Sequence, residues 1–484
     1  MNPIELIDGY KIGHKDQYPK GTQRIYSNWT PRSSRIEGQK EVVTFGLQYF
    51  LKHYLKDIFQ TFFFDKPRHE VEREYADRIK AYLNLQEFDT SHIGELHELG
   101  YLPLEFRALP EGTLCPLGVP MFTVENTDDR FFWLVNYIET LISNSIWIGS
   151  TSATSAYRLR KLLNTACLMT GGDPGFVQWQ GHDFSMRGMA GLDAAILSGA
   201  GHLLSFTGTD TIPAIGFVEK YYPGENGLIG GSVPATEHSV MCAGGEETEL
   251  ETFNRLLDIY PTGVLSVVSD TWDLWKVITG ILPRLVNKIM NRDGKVVIRP
   301  DSGDPVKIIC GNPDGKSEAE IKGVVQLLWE IFGGTISSNS DGSFKHLDPH
   351  IGVIYGDAIT YERAQAICEG LRQKGFASTN IVFGVGSYTY QYVTRDTYGF
   401  AMKATWARIN DKEFNLFKKP VTDTGDKFSA KGRLAVLKND EGKLYLVNEA
   451  SEKDQLKSQL QLVWRNGTFT KAQSFKNVRE TLWG

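Results

Sequence analysis

Leu265-Ser266-Val267-Val268-Ser269-Asp270, Val296-Val297-Ile298-Arg299-Pro300-Asp301, Val353-Ile354-Tyr355-Gly356-Asp357 and Ile381-Val382-Phe383-Gly384-Val385-Gly386 are apolar, β-branched runs that each stop at charged, hydroxyl or glycine residues. Continuous apolar runs suit parallel strands buried on both faces, whereas a sheet with one wet face alternates. Helical patterns at Ser155 to Thr170, Glu246 to Ile259, Glu318 to Phe332 and Tyr361 to Lys374 lie around and between them. Strand and helix in alternation imply parallel pairing through right-handed crossovers. The polar strand ends fall where an α/β barrel gathers its reactive loops, so residues 151–395 are predicted to form a barrel with one functional mouth.

The flanking sequence reads differently. Residues 1 to about 125 mix short strand-like runs (Arg24-Ile25-Tyr26-Ser27, Leu104 to Leu109) with helices at Phe45 to Phe59 and Arg68 to Asn84, an α+β pattern. After Arg395 alternating strands return, as in Leu434-Ala435-Val436-Leu437 and Lys443 to Val447. These predict a discontinuous domain of residues 1–150 and 396–484.

Composition bounds the function. A chain of 484 residues, 41% hydrophobic and 23% charged, is long enough for more than one domain. A formal charge of -6 argues against a nucleic-acid protein, whose footprint would be basic, so any anion-binding charge must be local. Five scattered cysteines without CxxC spacing indicate neither a disulfide framework nor a zinc site and fit a reducing cytoplasm. The N-terminus lacks the pattern of a signal peptide. The most apolar segment, Phe131 to Trp147, carries Asn136, Glu139 and Asn144 and reads as a buried helix rather than a membrane span.

Several polar segments outside the strand ends are candidates for function. Gly181-His182-Asp183-Phe184-Ser185-Met186-Arg187-Gly188 shows no helical or strand periodicity. It reads either as a binding loop or as a turn whose Asp183 bonds local backbone and whose Phe184 plugs the core; Arg187 before Gly188 favours anion binding. Thr207 to Thr211 and Ser232 to Ser239 match no generic phosphate motif, there is no Walker sequence, and Gly384-Val385-Gly386 lacks the rest of a dinucleotide fingerprint. His238 alone reads more readily as a structural histidine than as a catalyst. Asp270, Arg299, Asp301, Asp357 and Arg395 could each be an ordinary ion pair. Their placement at successive strand ends instead predicts one mouth, where arginines hold phosphate oxygens and carboxylates hold magnesium or ribose hydroxyls.

Taken together, Asp8-Gly9-Tyr10-Lys11, Gly181 to Phe184 with Arg187-Gly188, Gly208 to Thr211, Ser232 to Ala235 with Glu237-His238-Ser239, Ser266 to Asp270 and Ile298 to Gly303 resemble the nicotinamide phosphoribosyltransferases. The resemblance continues through Thr394-Arg395-Asp396 to Lys431-Gly432-Arg433-Leu434, essentially the whole chain. It implies a homodimeric type II phosphoribosyltransferase: an irregular α/β barrel beside a sandwich-like α+β layer, with active sites shared between subunits. The implied substrates are nicotinamide and 5-phosphoribosyl 1-pyrophosphate, with Mg2+ and with ATP as co-substrate.

By that resemblance Phe184 and the partner subunit's Tyr10 sandwich the pyridine ring, Asp210 accepts from the carboxamide, Ser266 lies against the substrate and Arg187 lies near ring and pyrophosphate. Arg299, Asp301, Gly356, Asp357, Gly386, Ser387 and the partner's Arg395 hold the ribose and its 5-phosphate. Arg32, Lys418 and Lys427, together with Arg187, His238 and Arg299, meet the pyrophosphate. His238 takes a phosphoryl group from ATP, oriented by Asp270. Ser387 stands where backbone approach to phosphate favours glycine. A nicotinate phosphoribosyltransferase and a non-catalytic binding protein on the same scaffold are the alternatives. Asp210 separates the first two, because its carboxylate would oppose that of nicotinate.

Overall fold

The computed structural model describes residues 2–224, 227–356, 358–418 and 430–484. It divides into two compact units, one comprising Met1–Thr151, Phe217–Glu225 and Val393–Gly484, the other Ser152–Gly216 and Asn226–Tyr392.

The second unit is built on a parallel sheet. Its strands run in the order Gly208–Thr209, Gly181–Asp183, Ile381–Val385, Ile351–Tyr355, Asp293–Arg299 and Thr262–Val268, each parallel to its neighbour. All four apolar runs that predicted strands are strands of this sheet, side by side. Leu265, Val267, Val296, Ile298, Val353, Ile381 and Phe383 are 2% exposed or less and pack with Phe253, Leu257, Leu328 and Ile367 from the surrounding helices. The two edges are also tied by the segment after Ile229. Gly208 bridges Gly231 and Ala235 bridges Ser266, with Thr209 N donating to Gly231 O (2.9 Å) and Ser266 N to Pro234 O (2.9 Å).

Local differences from the sequence reading have physical causes. Gly181–Asp183, read as lacking strand periodicity, is a strand between Gly208–Thr209 and Ile381–Val385; three residues are too few for a period to be visible. The helix predicted over Glu318 to Phe332 is two, Glu318–Lys322 and Val324–Phe332, because Gly323 takes φ +77° between them. The apolar segment from Phe131 becomes the short helix Leu134–Tyr137 and then the 31-residue Glu139–Met169, which absorbs the helix predicted from Ser155. Among the described residues no helix is long and apolar enough to cross a membrane. All five cysteines are free.

The first unit carries an antiparallel sheet in the order Lys412–Asn415, Ala401–Ile409, Thr22–Thr30, Phe122–Asn126, Leu104–Ala108, Gln461–Arg465 and Thr468–Phe469. The three early strands therefore lie together in the middle, with a pair of late strands on each side. Among the described residues Ala435–Lys438 and Leu444–Val447 pair only with each other, as a separate two-stranded sheet. A buried polar node joins distant stretches of this unit: Tyr222 Oη donates to Glu111 Oε2 (2.7 Å), and Glu111 N to Gln473 Oε1 (2.7 Å). Gln473 N donates to Gln48 Oε1 (2.8 Å), and Phe475 N to Tyr222 O (3.2 Å). Burial pushes the Glu111 carboxyl above its ordinary value despite these donors.

Candidate active site

The C-terminal ends of the parallel strands carry most of the singled-out side chains of the second unit. From Gly181–Asp183 the chain passes to Phe184, whose amide donates to Val385 O (2.9 Å). The ring lies against glycine backbone: a Cβ at Gly384 would stand 2.6 Å from Phe184 Cδ2 and 2.5 Å from Gly356 Cα, and one at Gly356 would stand 2.9 Å from Asp301 Oδ1. Only glycine at both positions lets strand ends and ring meet this closely. Phe184 is half-buried and faces the neighbouring His182 ring at 4.7 Å between centroids.

His182 and Asp210 come together from adjacent strand ends. His182 Nε2 and Asp210 Oδ1 are 2.8 Å apart, and Ser232 Oγ donates to the same oxygen (2.6 Å). The His182 side chain is 11% exposed and that of Asp210 48%, so the histidine braces a carboxylate that faces outward. Burial raises the Asp210 carboxyl, but hydrogen bonds from His182 and Ser232 and the charges of His182 and Arg299 outweigh it and hold the group below its ordinary value. Asp210 is therefore an ionised acceptor beside an aromatic ring.

Asp183, one residue before Phe184, meets the bland half of its reading. It is fully buried and takes the Ser185 amide (2.9 Å) and hydroxyl (2.6 Å). Phe184 does not plug the core, and Arg187 is exposed on the short turn Met186–Gly188.

The other strand ends supply an aspartate and an arginine, and the short helix His238–Cys242 supplies a second histidine. Asp270 Oδ2 accepts from Asp301 N (2.8 Å), Ser302 N (2.7 Å) and Ser302 Oγ (2.5 Å), while Oδ1 faces His238 Nε2 at 3.5 Å. Here the exposures are reversed, 50% for the histidine and 4% for the aspartate. Arg299 Nη2 lies 3.4 Å from Asp301 Oδ2. Ser266 Oγ, Asp270 Oδ1 and Arg299 Nε are buried without a hydrogen-bond partner among the described residues. Such atoms are rare in a closed core and ordinary where a polar ligand binds.

Gly386 precedes the short helix Ser387–Tyr390, and Ser387 packs on Gly188, where a Cβ would meet its Oγ. The structure thus brings together Phe184, Asp210, His238, Ser266, Asp270, Arg299, Asp301 and Gly356, with Gly386, Ser387 and Arg187 on the neighbouring turns. Asp357 and Lys427 lie outside the described residues. His182, Ser232 and Gly384 were not singled out from sequence. His182 lies in the segment Gly181 to Phe184, and because all three residues of its short strand are buried no alternation marks it.

The remaining candidates belong to the first unit. Lys11 is buried and salt-bridged to Glu139 (2.5 Å), leaving the adjacent Tyr10 62% exposed. Arg32 Nε donates to Gly399 O (3.0 Å), and Arg395 pairs with Asp396 (3.1 Å). Burial lowers the pKa of Lys403, and the charges of Arg32, Lys418 and Lys11 lower it further against a raising influence from Glu139. Arg32 and Lys418 therefore share a cationic cluster with Lys403, which sequence reading missed because it sits mid-strand in Ala401–Ile409.

Comparison with known proteins fits this geometry. The profile of the Nicotinate phosphoribosyltransferase (NAPRTase) family matches residues 179–468, and that of the Nicotinamide phosphoribosyltransferase N-terminal domain matches residues 3–85. A nicotinamide phosphoribosyltransferase of Acinetobacter baylyi is 48% identical over 495 residues, covering 100% of this chain and 97% of its own. The chain belongs to the nicotinamide phosphoribosyltransferase family. A further nicotinamide phosphoribosyltransferase, from Mycoplasma genitalium, is 36% identical over 87% of this chain and 93% of its own. Two solved structures share the fold at 14% identity. They are the nicotinate-nucleotide pyrophosphorylase of Pyrococcus furiosus (TM-score 0.59, 99% of this chain and 94% of that one) and human nicotinic acid phosphoribosyltransferase (TM-score 0.55, 98% and 92%). The match of the family profile from residue 179 takes in every strand of the parallel sheet and the residues gathered at its end.

Proposed function

We propose that this chain transfers the phosphoribosyl group of 5-phosphoribosyl 1-pyrophosphate to nicotinamide, giving nicotinamide mononucleotide and pyrophosphate in NAD salvage. The observation that carries this reading is Asp210, an ionised, outward-facing carboxylate fixed through Oδ1 by His182 and Ser232. Its Oδ2 is then placed to accept from a carboxamide NH2 beside the Phe184 ring, whereas the carboxylate of nicotinate would meet a like charge.

In the reaction the pyridine nitrogen lone pair attacks the anomeric carbon while the bond to pyrophosphate breaks, leaving a pyridinium nucleotide and free pyrophosphate. The nucleophile is neutral and needs no general base, so positioning carries most of the work. Phe184 and the partner subunit's Tyr10 hold the ring. Arg299, Asp301, Gly356, Asp357, Gly386, Ser387 and the partner's Arg395 hold the ribose and its 5-phosphate. Charge that develops on the leaving pyrophosphate is met by Arg187, Arg299, Arg32 and Lys418. The carboxylate of Asp301 suits Mg2+, which takes one or two carboxylates and fills its shell with water and substrate phosphate. When bound it neutralises leaving-group charge.

His238 is read as the group phosphorylated by ATP. Its Nε2 faces the buried Asp270, which leaves Nδ1 to attack phosphorus as ADP departs. The need for Tyr10 and Arg395 from a neighbour is read as a homodimer, and the five free cysteines fit a reducing cytoplasm. The bridged parallel sheet is read as an irregular barrel over 151–395, and 1–150 with 396–484 as a sandwich-like second domain. The deciding experiment is a product assay with phosphoribosyl pyrophosphate, magnesium and each pyridine substrate. Nicotinamide should be strongly preferred, and equal turnover of nicotinate would overturn the reading.

A further inference from the structure

Asp183 is a buried carboxylate that the chemistry above does not use. It forms no salt bridge among the described residues, and the nearby His202 is held neutral, its pKa pushed down to about 4 chiefly by burial. A buried acid without a cation is costly unless its hydrogen bonds are well made, which asks what those bonds achieve. Oδ1 takes both the amide and the hydroxyl of Ser185 (2.9 and 2.6 Å), closing the turn that follows Phe184. Oδ2 takes the Thr211 hydroxyl (2.7 Å), on the residue that follows Asp210. The backbone carbonyl of Asp183 takes the Asp210 amide (2.9 Å), and Thr211 N is held by Thr209 Oγ1 (3.0 Å).

We propose that Asp183, through Thr211, is a positioning residue that fixes the distance between the Phe184 ring and the Asp210 carboxylate and so sets the affinity for the pyridine amide. The inference rests on the reading of Asp210 given above. Asp183 and Thr211 are both 0% exposed, so neither touches substrate. Their effect is geometric: Phe184 supplies the face on which the ring lies and Asp210 the acceptor at its edge, and one carboxylate spans the segments that carry them. Displacement of about 1 Å in such a pair is enough to cost up to a hundredfold in turnover.

The test is a split between the two substrates. Thr211→Val keeps shape and removes only the hydroxyl. It should raise KM for nicotinamide about tenfold, the size expected when one hydrogen bond is removed and a buried acceptor is left unsatisfied. KM for phosphoribosyl pyrophosphate should change less than about twofold, because the ends of the strands Asp293–Arg299 and Ile381–Val385 are untouched. Thr211→Ser retains the hydroxyl and should behave as the unmodified protein. Asp183→Asn should also stay close to it, since its amide oxygen still accepts from Ser185 while its NH2 donates to a reversed Thr211 hydroxyl. Thr211→Ala gives the same comparison if the valine variant does not fold. Equal shifts in both KM values, an unchanged nicotinamide KM in Thr211→Val, or a Thr211→Ser variant as impaired as Thr211→Val would overturn the proposal. If the unmodified protein uses nicotinate instead, the assignment of substrate fails separately, and the same KM split read with nicotinate decides the role of Asp183.

Discussion

His182–Asp210 and His238–Asp270 are the same two residue types at the C-terminal end of one sheet, built inside out relative to each other. In the first pair the histidine is enclosed and the carboxylate faces outward; in the second the aspartate is enclosed, pinned by three donors, and the imidazole faces outward. Whichever partner is buried braces the other, and whichever is exposed is open to a ligand. A braced carboxylate can only accept, so it suits an amide. A braced imidazole offers a neutral nitrogen, so it suits an electrophilic phosphorus. Pairing alone therefore does not assign a role; the order of burial does.

The sharpest way to break this contrast is to remove the exposed histidine. Incubation with γ-labelled ATP should give acid-labile, base-stable label on the unmodified protein and none on His238→Ala. Transfer to nicotinamide without ATP should survive, since the pyridine supplies the nucleophile, and persisting label would place the coupling elsewhere. Asp210→Asn comes next. Preference for nicotinamide over nicotinate should fall about a hundredfold, equivalent to about 3 kcal/mol, as a like-charge clash in a dry pocket is removed. The ratio of kcat/KM values measures it. Asp270→Asn takes away a brace rather than a reacting group, and the rate of labelling should drop only about tenfold, or about 1.4 kcal/mol.

The smallest effect is on pH. The Asp210 carboxyl is held below its ordinary value of 3.8, so its folded pKa is depressed. The sign follows: ionised Asp210 contributes to stability and to nicotinamide binding above the ordinary value, and both are lost only as pH falls through the lowered one. KM for nicotinamide should therefore stay flat through the weakly acidic range. In His182→Ala the acid limb should move up, because the hydrogen bond from His182 that holds the carboxyl low is gone. A limb already present near neutrality in the unmodified protein would contradict an ionised acceptor.

Much of the parallel sheet was legible because strands such as Ile351–Tyr355 are buried along their whole length and so carry an uninterrupted apolar signature. Asp270, Arg299 and Asp301 were legible as termini of those signatures. What escaped notice had no such signature. Gly181–Asp183 is a strand only because Ile381–Val385 and Gly208–Thr209 lie on either side, and no property of three residues announces that. His182 and Ser232 are separated by 50 positions, yet Ser232 Oγ lies 3.4 Å from His182 Nε2 and both converge on Asp210 Oδ1. The hairpin Gly334–Asn339 with Gly342–Leu347 is mostly exposed and polar, so the hydrophobic pattern that finds core elements passes over it.

The Glu111 node has a consequence for how the protein is made. Its members are Gln48, Glu111, Tyr222 and Gln473, and the sheet of the same unit sets Gln461–Arg465 beside Leu104–Ala108. On a ribosome the opening third of the chain would emerge with its partners still unsynthesised. The parallel sheet needs nothing before Ser152 and nothing after Tyr392, so its strands can pair while the tail is still being added. The first unit to begin synthesis is thus the last to close, with Phe63, Phe106 and Trp464 awaiting one another in the interval. Nascent chains stalled before Gln461 should bind hydrophobic holdases through this early segment, and release should follow once the closing strand has been delivered.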